Sequence, residues 1–318
     1  MNIDRQATLD DYAHLLDLVT KKVTVTQIAD DIYKLVPFHK PYQNAKVALV
    51  ACAHGDEVVG LSLFIEFLIS LIEERTTLEG ELILVLANRP AYLINRRYVD
   101  VDLNRVYGQT NNSTLENRRA PIIRDALNDC DYILDIHQCI EPTPFPFFIV
   151  PFSDTIYSWV RSLAPQIPVI VRRSITEITT LSSYGLLTDK MIVTVELGDV
   201  GADPYQLLTG QKLIESLLMW SWQPSIRNKT ANHLRPLAPA YEVTYEQPYS
   251  QGDVAFIDGL AHFDRVRAGQ VLAYVDGEPI HSPRTGWVLM YPRKWFEKER
   301  GLKAEGLFYL MEDFSLDK

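Results

Sequence analysis

Val47-Ala-Leu-Val-Ala-Cys-Ala-His54-Gly-Asp-Glu57 is the stretch on which the reading of the fold turns. Its first six residues are apolar without alternation, the pattern of a strand buried on both faces of a largely parallel sheet. Polar residues arrive only at its end. There a turn containing Gly55, which would permit a tight backbone path, leads towards helical spacing from Leu61 to Glu73. Open parallel sheets bind ligands outside the carboxyl ends of their strands, so His54 and Glu57 stand where chemistry is expected.

Working outward, the same texture repeats at Leu82–Leu86, Tyr132–Ile136, Phe147–Val150 and Met191–Val195. Between these runs, helical spacing occupies Leu115–Leu127, Ile156–Leu163 and Tyr205–Met219. This alternation predicts an α/β fold: a mostly parallel mixed sheet flanked by helices. Residues 1–45 should hold one helix, Leu9 to Val19, and an edge strand. After Trp222 the texture changes to short strand-like pieces, such as Val271–Val275 and Gly286–Met290, separated by Asp-Gly, Ala-Gly and Thr-Gly turns. The expected organisation is a catalytic domain over 1–226 and a small C-terminal all-β domain over 227–318.

Composition narrows the function classes. The 318 residues carry 31 Lys+Arg against 41 Asp+Glu, a net charge of −10, which disfavours a general nucleic-acid binder. The longest apolar stretch, Val58 to Ile72, is broken by Glu66 and too short for a membrane span. Three cysteines, Cys52, Cys130 and Cys139, make no disulfide framework. With early acids and no long apolar segment at the N-terminus, a soluble cytoplasmic protein is expected, with homo-oligomerisation left open. There is no G-x-S-x-G, Walker A, G-x-G-x-x-G, C-x-x-C or H-E-x-x-H string.

What the strand ends do carry is consistent. His54 and Glu57 follow the first run, Asn95 to Arg105 follows the second, His137 and Gln138 close the third, and Glu196 closes the last. Two His and one Glu are a common catalytic zinc set that leaves a position for water, so His54, Glu57 and His137 are the candidate ligands. Cobalt or manganese would also suit that set. Asp135 reads as a supporting acid rather than a ligand. Glu196 is the spare carboxylate able to move a proton. Arg97 could stabilise an oxyanion, while Arg105, with Asn104, suits capture of a carboxylate. Cys52 and Cys139 read as small buried hydrophobes. Arg89 and Arg96 read as solvated or structural, His281 as a turn residue, and His14, His39, His233 and His262 as structural.

The strings His54-Gly-Asp-Glu57, Arg97-Tyr-Val-Asp-Val-Asp-Leu-Asn-Arg105, Asp135-Ile-His137 and Val195-Glu196-Leu-Gly198 together resemble the succinylglutamate desuccinylase/aspartoacylase family of the zinc carboxypeptidase-like superfamily. Ala268 to Gly277 and Trp287 to Met290 resemble that family's β-domain. The resemblance implies hydrolysis of the amide of a small N-acyl amino acid, with one zinc per chain on His54, Glu57 and His137. It implies Glu196 as general base, Arg97 polarising the carbonyl, Asn104 and Arg105 on the α-carboxylate, and Asp102 orienting the arginines. The family's arginine for a side-chain carboxylate is replaced here by Leu186, ten residues before Glu196, leaving Tyr184 as a nearby hydroxyl. Arg172 and Arg173 are near in sequence but out of register. An aromatic reaching the cleft falls near Tyr291 or Trp295. Two rivals remain: a zinc metallocarboxypeptidase acting on short peptides, and a non-catalytic metal- or ligand-binding protein.

Overall fold

A computed structural model describes residues 4–39, 45–173, 175–223, 237–249, 251–290 and 306–316 of the chain. In chain order the elements begin with α1 (Arg5–Val19), the hairpin β1 (Val23–Ala29) and β2 (Ile32–Pro37), β3 (Val47–Ala51), α2 (Val59–Ile72), β4 (Leu82–Leu86) and α3 (Arg89–Leu93). A 3-10 turn, Leu103–Arg105, precedes α4 (Leu115–Ala126), β5 (Tyr132–Cys139), β6 (Phe147–Pro151) and α5 (Asp154–Leu163). Then come β7 (Val169–Arg172), α6 (Leu181–Leu187), β8 (Met191–Asp199) and α7 (Pro204–Trp222). The C-terminal part holds β9 (Ala240–Pro248), β10 (Val254–Phe256), β11 (Arg265–Val266), β12 (Val271–Val275), β13 (Glu278–His281), β14 (Gly286–Met290) and β15 (Gly306–Asp313).

The strands form a twelve-stranded sheet in the order β1-β2-β4-β3-β5-β8-β6-β7-β9-β15-β14-β11 and a three-stranded sheet β10-β12-β13. From β4 to β7, four of the five pairings are parallel, the exception being β6 against β8. This is the α/β, mostly parallel and helix-flanked sheet that the unbroken apolar runs predict. All five residues of β3 and of β4 are buried, as strands covered on both faces must be. Helix α2 lies in the larger core, with eight of its fourteen residues buried.

The N-terminal segment holds two strands where one was expected. Asp31, in the left-handed region at φ 56°, turns the chain back at Asp30-Asp31. The short strand β7 and helices α3 and α6 were also not anticipated. Each is seven residues or fewer, too short for a periodic signal to rise above background.

The expected domain boundary lies within 224–236, outside the described residues. Across it, β9 pairs with β7 in parallel, Val169 opposite Ala240, so the C-terminal strands continue the main sheet. An aromatic cluster of Phe145, Phe147, Tyr241 and Phe263 packs at that join. Among the described residues no helix is long and apolar enough to cross a membrane.

Candidate active site

The turn after β3 is built by space rather than by glycine dihedral freedom. Cys52 takes the left-handed conformation, φ 55°. Gly55 is required because a Cβ there would lie 2.0 Å from the Ala91 carbonyl carbon. Arg5 of α1 donates from Nη1 to the carbonyls of Gly55, at 2.6 Å, and of Tyr92, at 2.9 Å, bracing the turn from outside. His54 and Glu57 are thereby held inward, 3% and 2% exposed.

His137 and Glu196 lie inside their strands, because β5 and β8 run several residues beyond their apolar stretches. They are direct neighbours in the parallel ladder. Immediately beyond, β8 carries one extra residue between Glu196 and Asp199 relative to β5, an irregularity that includes Gly198 at φ 129°.

The donor atoms converge. His54 Nδ1 is 2.7 Å from Glu57 Oε1, and His137 Nδ1 is 2.9 Å from Glu57 Oε2. The two Nδ1 atoms face each other at 3.2 Å. Lone pairs so placed repel unless a proton or a cation sits among them. The outer nitrogens are engaged: His54 Nε2 with Asp102 Oδ1 at 3.1 Å, His137 Nε2 with Asp135 Oδ2 at 3.0 Å. Such carboxylate–imidazole pairs set the tautomer and turn Nδ1 towards a metal. His54, Glu57 and His137 offer ligand atoms all within 4.8 Å of one another and could hold a metal ion.

Electrostatics tells the same story. Burial and Arg97 oppose a proton on His54, yet Glu57 and Asp102 outweigh them and raise its pKa. Burial opposes a proton on His137, but Asp135 and Glu57 hold its pKa well above the usual imidazole value. Burial favours a neutral Glu57, but the two imidazoles keep its carboxyl far below the ordinary range. The cluster therefore demands positive charge at its centre. Burial is the main force pushing the Glu196 pKa up, with His137 pulling against it.

Around this centre, Arg97 donates from Nε to Asp102 Oδ2 at 3.2 Å and from Nη1 to Glu57 Oε1 at 3.4 Å. Asn104 is buried; its Nδ2 lies 3.3 Å from His137 Nε2 and its Oδ1 accepts from the Leu181 amide. Arg105 donates to the Asn104 carbonyl at 2.9 Å. All three line a cavity of about 230 Å³ together with His54, Glu57, His137 and Glu196.

Tyr184 does not line that cavity. Its ring lies 5.8 Å from the Arg124 guanidinium and packs on the smaller core cluster. From the same segment Thr180 and Ser182 reach the cavity instead. Leu186 packs against the larger core. Tyr291 and Trp295 lie outside the described residues, as does His233.

Several residues carry more than their sequence reading suggested. His262, read as structural, lines the cavity, and its Nδ1 accepts from the Met290 amide at 3.3 Å. Cys139 also lines it, and its thiol donates to Glu196 Oε2 at 3.4 Å. Gln138 donates its backbone N–H to Glu57 Oε2 at 3.0 Å while its side chain joins α2, Asp199, Gly201 and Gln206. Only its place next to His137 could have marked it. Cys52 is buried with a thiol pushed up to about 12, as a small core residue should be.

Fold and site together define a mixed α/β protein with a buried His–Glu–His group able to hold a metal at the strand ends. The family model of the succinylglutamate desuccinylase/aspartoacylase catalytic domain matches residues 43–219, more than half of the chain. The chain belongs to that family. It is 28% identical over 153 residues to the succinylglutamate desuccinylase of Yersinia pseudotuberculosis, a match over 43% of this chain and 46% of that protein. The chain thus spans about half the length of the curated relatives it matches. At the level of fold, the succinylglutamate desuccinylase structure from Vibrio parahaemolyticus has a TM-score of 0.71 at 18% identity, covering 96% of this chain and 95% of that one. Murine aminoacylase 3 has a TM-score of 0.63 at 18% identity, over 86% and 97%.

Proposed function

We propose that this chain is a zinc-dependent amidohydrolase that cleaves the amide of a small N-acyl amino acid. The observation that carries the reading is the pair of facing imidazole Nδ1 atoms closed by Glu57, with Glu196 in the same cavity. Family membership, and relatives named as desuccinylases and an aminoacylase, support the same chemistry.

Zinc held by His54, Glu57 and His137 would supply Lewis acidity, lowering the pKa of a water and polarising the scissile carbonyl. Glu196 takes the proton of the attacking water and returns it to the departing amine. Burial raises its pKa, the direction that favours a carboxylate which must both accept and return a proton. Arg97, held against Asp102 and Glu57, presents a fixed cation to the oxygen on which negative charge develops. Arg105 takes the α-carboxylate with its planar fork, and Asn104 ties that segment to His137.

The test is metal analysis of the purified chain, with product analysis on N-acetyl and N-succinyl amino acids and on short peptides. About one zinc per chain and release of a carboxylic acid plus free amino acid are expected. Trimming of peptides instead would make it a carboxypeptidase. Full metal loading without any hydrolysis would leave a binding protein.

A further inference from the structure

Glu196 is held more sparingly than the acids around it. Glu57 meets His54, His137, Arg97 and the Gln138 amide. Asp102 and Asp135 each engage an imidazole. Among the described residues, the Glu196 carboxylate takes one hydrogen bond, from the Cys139 thiol to Oε2 at 3.4 Å. The group proposed to move a proton is thus aimed by a single weak donor.

Backbone geometry puts that thiol in place. His137 and Cys139, two residues apart on β5, share a face, and both line the cavity. His137 stands opposite Glu196, but the next pair is Cys139 with Asp199, because β8 carries an extra residue in between. Such an irregularity bends its strand and re-aims the side chain beside it. Cys139 also packs against the cluster of Phe147, Tyr241, Phe263 and Met311, where the C-terminal strands join the sheet. One half-buried residue therefore touches the aromatic join and the Glu196 carboxylate at once.

We propose that Cys139 is a positioning residue: its thiol holds Oε2 of Glu196 and leaves Oε1 to take the proton, while the C-terminal strands keep the thiol where it is. This rests on Glu196 being the base. A thiol fixes the direction of a carboxylate without neutralising it. An unheld Glu196 would divide its time among rotamers, only some of which point at the reacting atoms.

One test is independent of turnover. The infrared S–H stretching band of Cys139 is the band lost in Cys139→Ser. It should lie below the frequency of an unbonded thiol and move upward in Glu196→Gln, since an amide accepts more weakly than a carboxylate. A band that Glu196→Gln leaves in place overturns the contact. Kinetics use the zinc-loaded chain and the N-acetyl or N-succinyl amino acid that it hydrolyses fastest. Cys139→Ala should lower kcat about tenfold with KM and zinc content unchanged, and Cys139→Ser, which restores a donor, should recover most of the loss. Adding Cys139→Ala to Glu196→Gln should cost nothing further. Unchanged kcat in Cys139→Ala, a loss carried by KM alone, or a Ser variant as poor as Ala overturns the positioning role and leaves Glu196 as base. No hydrolysis by the unaltered, zinc-loaded chain overturns the base reading and the role of Cys139 together.

Discussion

Glu196 is half-buried beside His137 and accepts from the Cys139 thiol, so its carboxylate is oriented and only partly solvated. Replacing it with Gln keeps size and removes the proposed base. The expected result is a fall in kcat of about 10²- to 10⁴-fold with zinc content unchanged; loss of zinc alongside activity would make Glu196 a ligand instead. The imidazoles yield a pH prediction. Their pKa values are raised in the folded, metal-free chain, so their contribution to its stability is present below the ordinary imidazole pKa and is lost as pH rises through the raised values. Zinc, if it is the metal held there as proposed, would have to displace those protons. Its affinity should therefore increase with pH through the same window, with proton release on binding that varies with buffer in calorimetry. A pH-independent affinity would contradict the assignment of His54 and His137.

At the scale of elements, the segment from Arg97 to Arg105 supplies Arg97, Asn104 and Arg105 to the cavity wall yet has little regular structure. Glu116, fully buried in the first turn of α4, holds it: the carboxylate accepts from the amides of Val99, Asp100 and Val101 and from Asn88. An amide at 116 cannot satisfy those donors equally. Glu116→Gln should cost ~1–3 kcal/mol in denaturant unfolding and speed hydrogen exchange at Val99–Val101; unchanged exchange would show that the loop is held otherwise. The turn of Gly55 is similarly constrained. Gly55→Ala must push the β3–α2 turn away from Ala91, and ~1–3 kcal/mol of lost stability with weaker zinc retention is expected. Wild-type Tm and metal content in that variant would overturn the packing argument.

For the whole molecule, the shared sheet predicts a single unfolding event. Backbone bonding between β7 and β9 and the aromatic cluster around Phe263 join the C-terminal strands to the rest. Far-UV circular dichroism and tryptophan fluorescence should follow coincident urea transitions. Phe263→Ala, losing contacts with Phe145, Phe147 and Tyr241, should cost ~3 kcal/mol or more. Two separated transitions in the unmutated chain would instead show that the C-terminal strands fold as an independent unit.

Local sequence determined the parallel strands, the long helices and the candidate ligands, because burial on both faces leaves uninterrupted apolar runs whose ends expose every polar residue. β3 and β4 match their runs to within a residue, and His54, Glu57 and His137 do converge. Tertiary structure alone decided the rest. Which face Arg172 shares with Glu196 depends on the register of β6 between β7 and β8, set by pairings distant in sequence. That Tyr184 turns away while Thr180, Ser182 and His262 turn in depends on how α6 and the C-terminal strands pack. That Gly55 answers a steric demand rather than a dihedral one depends on the approach of Ala91, some thirty-six positions along the chain. Periodicity records whether a residue is covered; only the packed chain records by what.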